Sequence, residues 1–182
     1  MVSFQQRSRF TGDQLQIINQ AVTMAEELVS NHYKMSASQW LHRRYDVKTL
    51  SELTAHEIVD GPFAQIIRYE GQRMGSALGS DAYDFYKICL QDHAILTALN
   101  THDQLSLLPF ALYIICHELV HIVRFSKFIQ NFDATADEKL AEEHRVHAIT
   151  HQILAPVHLP GIEPVIAYYA RWRTPLENLG AP

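Results

Sequence analysis

The sequence predicts a mainly α-helical domain carrying a small β-hairpin or short sheet. Three observations carry this reading. Residues 107–128 and 136–154 hold apolar side chains at helical spacing over long, unbroken stretches. Residues 85–90 alternate in strand fashion, with Phe85, Lys87 and Cys89 set against Tyr86, Ile88 and Leu90. At 182 residues, with 47% hydrophobic and 19% charged, the chain suits one packed domain spanning residues 1–182.

Taken in order, Leu15, Ile18, Val22, Ala25 and Val29 form a helical stripe over residues 13–32, with Thr11 or Asp13 able to cap it. Ser36 or Ser38 starts a short helix through Trp40 and Tyr45. Another helix is expected over residues 50–59, stopped by Gly61-Pro62, and the chain from Pro62 to Met74 is read as helical again. Residues 83–99 read as a hairpin turning at Gln91-Asp92, although a helix capped by Ser80 fits the same residues. The helix over 107–128 tolerates Pro109 in its first turn. A linker near residues 131–135 leads to the helix over 136–154, which Pro156 ends. A last short helix is expected near residues 163–172.

Composition excludes several classes. The net charge of −5 and the absence of a basic stripe argue against nucleic acid as a partner; Arg43–Arg44 and Arg171–Trp172–Arg173 are the tight basic clusters. The first residues lack the apolar core of a signal peptide, and the apolar stretch 105–116 is broken by Ser106 and Pro109, so no membrane partner is expected. Two cysteines, Cys89 and Cys116, make no disulfide framework, and a reduced cytoplasmic setting is the simplest expectation. Eleven histidines direct attention to a metal site.

The pattern that carries chemistry is His117-Glu118-Leu119-Val120-His121. Residues four apart share a helix face, so both imidazoles can reach one ion. Glu118 lies beside the first of them, placed to take a proton from a water activated by zinc. Chance gives about 0.04 such patterns in a chain of this composition. Two histidines and a glutamate are also costly in so apolar a helix unless they have a task.

These residues resemble the HExxH zinc metallopeptidases, the zincins. Arg124 and Lys127 stand where the metzincin pattern has its glycine and third histidine, so that subgroup does not fit. Gluzincins take a glutamate from a following helix some twenty residues on, and Glu142 and Glu143 lie with 20 and 21 residues between them and His121. The resemblance therefore implies a zincin-like helical domain, a Zn2+ cofactor held by His117, His121 and a glutamate, Glu118 as catalytic base, and a peptide or protein substrate. Glu142 shares the inward face of Val146, Ile149 and Ile153, whereas Glu143 is turned by about 100° toward His147. Glu143 is the preferred ligand; Glu142, His144 and His147 stay open as alternatives. The stretch ending Gln152-Ile153-Leu154-Ala155-Pro156 also loosely resembles the ImmA/IrrE-type metallopeptidases. An edge strand within residues 83–99 is expected to pair with an extended peptide.

Tyr168, Tyr169, His151 and His158 are candidates for stabilising an oxyanion. His56-Glu57-Ile58-Val59-Asp60 mimics the motif but reads as a helix end, and Cys116 points away from His117 into the core. Two rival readings use the same residues. A di-iron carboxylate bundle would use Glu118-Leu119-Val120-His121 as one Glu-x-x-His motif, but no second one follows any other glutamate. A non-catalytic zinc-binding regulatory module would need no Glu118.

Overall fold

The structure, a computed structural model, describes residues 7–36, 38–39, 45–72, 82–127 and 133–173. It is mainly helical with a small three-stranded sheet. The elements run α1 (Gly12–Tyr33), β1 (Tyr45–Lys48), β2 (Ala64–Gln72), β3 (Ala82–Leu90), α2 (Asp92–Thr101), α3 (Leu107–Ser126), α4 (Ala136–Leu154) and α5 (Ile162–Tyr168). The sheet order is β1-β3-β2, with β1 parallel and β2 antiparallel to the central β3.

The centre of the fold is α3. Its residues from Pro109 to His117 and from Leu119 to Arg124 are buried, because α1, β2, α4 and α5 all pack against it. A helix apolar all round must be enclosed on all sides. By length and a mean hydropathy of 1.5 it would pass for a membrane span, yet it is mostly buried inside the protein. Tyr86, Ile88 and Leu90 turn one face of β3 into the same core, and Tyr86 stacks on Phe125 of α3. The alternation in residues 85–90 is thus a genuine strand.

Helices α1, α3 and α4 stand where the periodicity places them. Thr11 caps α1, and Thr135 caps α4 in a reciprocal box with Glu138. Gly161, at φ 84°, starts α5; a Cβ there would meet Ser106 Oγ at 2.8 Å, so glycine lets α5 approach the start of α3.

Four expectations need correction. The helix expected over 50–59 is two short 3₁₀ turns, Leu50–Glu52 and Ala55–Glu57. Thr49-x-x-Glu52 and Thr54-x-x-Glu57 are two capping boxes five residues apart, and the extended Leu53 ends the first turn before a helix can propagate. The helix expected over 62–74 is β2. Its side chains from Phe63 to Arg68 are half-buried, so neither face gives the clean alternation that marks a strand, and pairing with β3 decides its state. The expected hairpin over 83–99 is β3 followed by α2. Asp92 starts that helix, and its carboxylate accepts the Phe10 amide N–H at 3.0 Å and the Leu50 amide N–H at 2.9 Å. Tyr45, expected in a helix, opens β1; Trp40 lies outside the described residues.

Glu57 ties the 3₁₀ segment to the sheet. It is 1% exposed and accepts from Lys87 Nζ at 2.6 Å, Tyr69 Oη at 2.8 Å and the Thr54 amide at 2.9 Å. The Lys87 ammonium, chiefly, holds its carboxyl at about 2 against an ordinary 4.5. A folded value below the unfolded one stabilises fully above about pH 4.5 and is lost as pH falls toward 2. Glu57→Gln should therefore flatten the acid limb of stability against pH in that window. An unchanged limb in urea titrations would remove this role.

Candidate metal centre

His117 and His121 project one helical turn apart from α3, both 7% exposed, with ring centroids 4.8 Å apart. Glu143 reaches them from α4. His117 Nε2 lies 3.2 Å from Glu143 Oε2, His121 Nε2 lies 2.9 Å from Oε1, and the two Nε2 atoms are 3.2 Å apart. The structure therefore brings together the three residues that the sequence pattern nominates. His147 joins them: its Nε2 is 4.0 Å from Glu143 Oε2, and its Nδ1 meets the Tyr113 hydroxyl at 2.9 Å.

Glu142 sets the register of α4 against α3. It is 2% exposed and accepts from Arg124 Nε, from Arg124 Nη2 at 3.1 Å and from Arg145 Nη1 at 2.9 Å. Arg124 lies one turn beyond His121, so this bidentate pair docks the two helices where Glu143, the next residue, faces the imidazoles. Glu142 is committed to Arg124 and does not face the cluster. Arg124, in the position that excluded the metzincin pattern, has that structural task instead. Glu142→Ala would leave a buried guanidinium uncompensated, a loss of about 3–5 kcal/mol. For a chain of this size that lowers Tm by roughly 10 °C. The double variant Arg124→Met/Glu142→Leu should recover much of it, and a Glu142→Ala protein melting like wild type would remove the docking role.

His144, open as an alternative ligand, is turned away; its Nδ1 donates to the Trp172 carbonyl oxygen at 2.6 Å. Cys116 is buried with its thiol pushed up by burial, as befits a core residue. Glu57, in the sequence that mimics the motif, belongs to the sheet network instead.

Charge in the cluster follows from its neighbours. Burial opposes ionisation of Glu143, but the two imidazoles hold its carboxyl well below the usual range. Burial likewise disfavours a charged His121, and the Glu143 carboxylate outweighs it and raises the imidazole. His147 is driven down to about 3, by burial first and then by His117, and is neutral. Burial pushes the Glu118 carboxyl up. Glu118 is half-buried and makes no hydrogen bond or ion pair with another described residue.

The donor set fits a zinc ion. Two imidazoles and a carboxylate at zinc bonding distances in a tetrahedron place their ligand atoms about 3.3 Å apart. Here the two Nε2 atoms are 3.2 Å apart, and each lies 2.9–3.2 Å from a different oxygen of the one Glu143 carboxylate. The Nδ1 atoms of both histidines are buried without a partner among the described residues. Ring orientation therefore comes from packing, His121 stacking on Phe125 and His117 lying 4.2 Å from the His147 ring.

The cluster lies in the wall of a cavity of about 710 Å³, which Glu118 also lines. Residues 61–66, at the start of β2, form another wall. Gln91 donates its amide to the Phe63 carbonyl at 2.8 Å, and Gln65 pairs with Cys89, so alternate residues turn toward β3. The amides of Ala64 and Ile66 point the other way, to an edge with no further strand among the described residues. The edge beside the centre is thus β2, not the 83–99 segment expected, where β3 is the central strand. Of the four oxyanion candidates, Tyr168 and Tyr169 line the cavity, whereas His151 and His158 do not.

Sequence reasoning missed Tyr113 and the 61–66 wall. Tyr113 stands four residues before His117, on the same helix stripe, which is the signal that would have found it. No family model matches the chain, and no curated protein or solved structure is found to be similar to it.

Proposed function

We propose that the protein is a zinc-dependent hydrolase, a peptidase that uses Glu118 as general base and His117, His121 and Glu143 as metal ligands. The observation that carries this reading is the convergence of His117 Nε2, His121 Nε2 and both Glu143 oxygens within 3.2 Å, beside an unpartnered Glu118 in a cavity wall. A zinc ion there would lower the pKa of a water to about 7 and polarise a substrate carbonyl.

The protein's own groups do the rest. Glu118, its carboxyl raised by burial, takes a proton from the attacking water and can pass it to the leaving amine. Ala64 and Ile66 offer outward amides and carbonyls for an extended peptide to pair with along β2. Tyr168 or Tyr169, both in the cavity lining, can donate to the developing oxyanion.

One observation favours a second reading. His117, Glu143 and His147 also form a group whose ligand atoms lie within 4.8 Å of one another. With His147 as fourth ligand the site would be closed and structural. The free Glu118 and the adjoining cavity favour the open form, with His147 packed on the His117 ring, orienting it, and held in turn by Tyr113. The di-iron reading has less support, because among the described residues no group of three such donors stands apart from this cluster to hold a second ion.

Elemental analysis of the purified protein should find about one zinc per chain, against two irons for the di-iron alternative. Zinc titration separates open from closed. His147→Ala should weaken binding by about 10–100-fold, the effect of losing an orienting partner. A loss as complete as that from Glu143→Ala would make His147 a ligand and the site structural.

A further inference from the structure

The charged side chains that line the cavity are few, and their signs are uneven. Glu118 and Glu143 belong to the centre, and Glu142 is neutralised by Arg124 and Arg145. What remains is Lys139 and Arg171, both exposed and both cationic. Neither forms an ion pair with a described residue. In a chain of net charge −5, these are two exposed cations on a cavity whose other charged lining residues are the glutamates of the centre and of α4.

Their placement is ordered. Lys139 precedes Glu143 by four residues of α4, about 6 Å along the axis. An extended peptide advances about 3.3 Å per residue, so that rise equals the span of about two residues of an extended chain. Arg171, in the 3₁₀ turn Ala170–Arg173, lies with its guanidinium 5.4 Å from the Trp172 ring centroid. That stacking limits its rotamers, so less freedom is lost on pairing with an anion. Trp172 itself stacks over His147, so the turn that carries Arg171 is fixed against the centre.

We propose that Lys139 and Arg171 select substrates bearing a carboxylate within about two residues of the cleaved bond. The carboxylate is either an Asp or Glu side chain or the peptide's own C-terminus. This specificity rests on the hydrolase reading given above.

The test uses the full-length, zinc-loaded protein and a pool of short synthetic peptides. Each is made with Asp or Asn at successive positions, and with a free or amidated C-terminus. Wild type should cleave carboxylate-bearing members with a kcat/KM about tenfold above their neutral counterparts at low salt. Added salt should shrink that ratio, since exposed charges are screened. In Lys139→Gln/Arg171→Gln the ratio should fall to about one, and Lys139→Glu/Arg171→Glu should turn it below one. Preference for Asp over Asn assigns the site to side chains, and preference for free over amidated ends assigns it to C-termini. Equal cleavage of charged and neutral members by wild type overturns the specificity and leaves the hydrolase reading standing. If no member is cleaved at all, the hydrolase reading fails and takes the specificity with it.

Discussion

Replacing Glu118 by Gln should leave zinc content and fold intact while lowering peptide hydrolysis by about 10²–10⁴-fold. The side chain is half-buried in the cavity wall and makes no hydrogen bond or ion pair with another described residue, so nothing in the packing depends on its charge. Glutamine keeps its shape but cannot accept a proton from the attacking water. The measurement is kcat/KM on a cleaved peptide together with metal content. A variant that loses its metal would make Glu118 a ligand and favour the di-iron alternative. A variant that keeps full activity would place the base elsewhere.

The second large effect concerns the metal. His117→Ala, His121→Ala and Glu143→Ala should each weaken zinc binding by more than the 10–100-fold of a lost orienting partner, and the double histidine variant should retain none. Binding is linked to stability. At a free zinc concentration of about 100 times Kd, the folded protein gains about 2.7 kcal/mol, worth roughly 5–10 °C in Tm for this chain length. Wild type should show that rise on adding zinc, and the double variant should show no rise. Stoichiometric zinc in His117→Ala/His121→Ala would sink the site. Glu142→Ala separates the two glutamates in the same assay: it should melt early yet still gain stability from zinc, because Glu142 is spent on Arg124.

Residues whose state follows from local pattern were legible. Helices α1, α3 and α4 carry long apolar stripes, α1 and α4 add threonine caps, and Pro156 follows α4, signals that lie within or beside one element. The four-residue spacing of His117 and His121 is of the same kind, since helix geometry alone makes them neighbours. That Glu143 and not Glu142 faces the two imidazoles was half legible. Periodicity separated their faces by about 100°, but only the docked helices supply Arg124 as the buried partner of Glu142.

What the sequence did not disclose depends on residues far apart in the chain. Strand β2 has no clean alternation of its own and is held as a strand by β3, so residues 62–74 resembled a helix. Residues 50–59 hold two good helix starts, yet Glu57 is drawn to Lys87 and Tyr69, residues of the sheet. The edge that faces the centre likewise follows from strand order, which no local pattern encodes. His117, Glu118 and His121 were determined by the sequence itself, because one helix suffices to align them. Tertiary structure decided the approach of Glu143 to the imidazoles, the cavity, the β2 wall and the cations in its lining, because each requires two or more elements to meet.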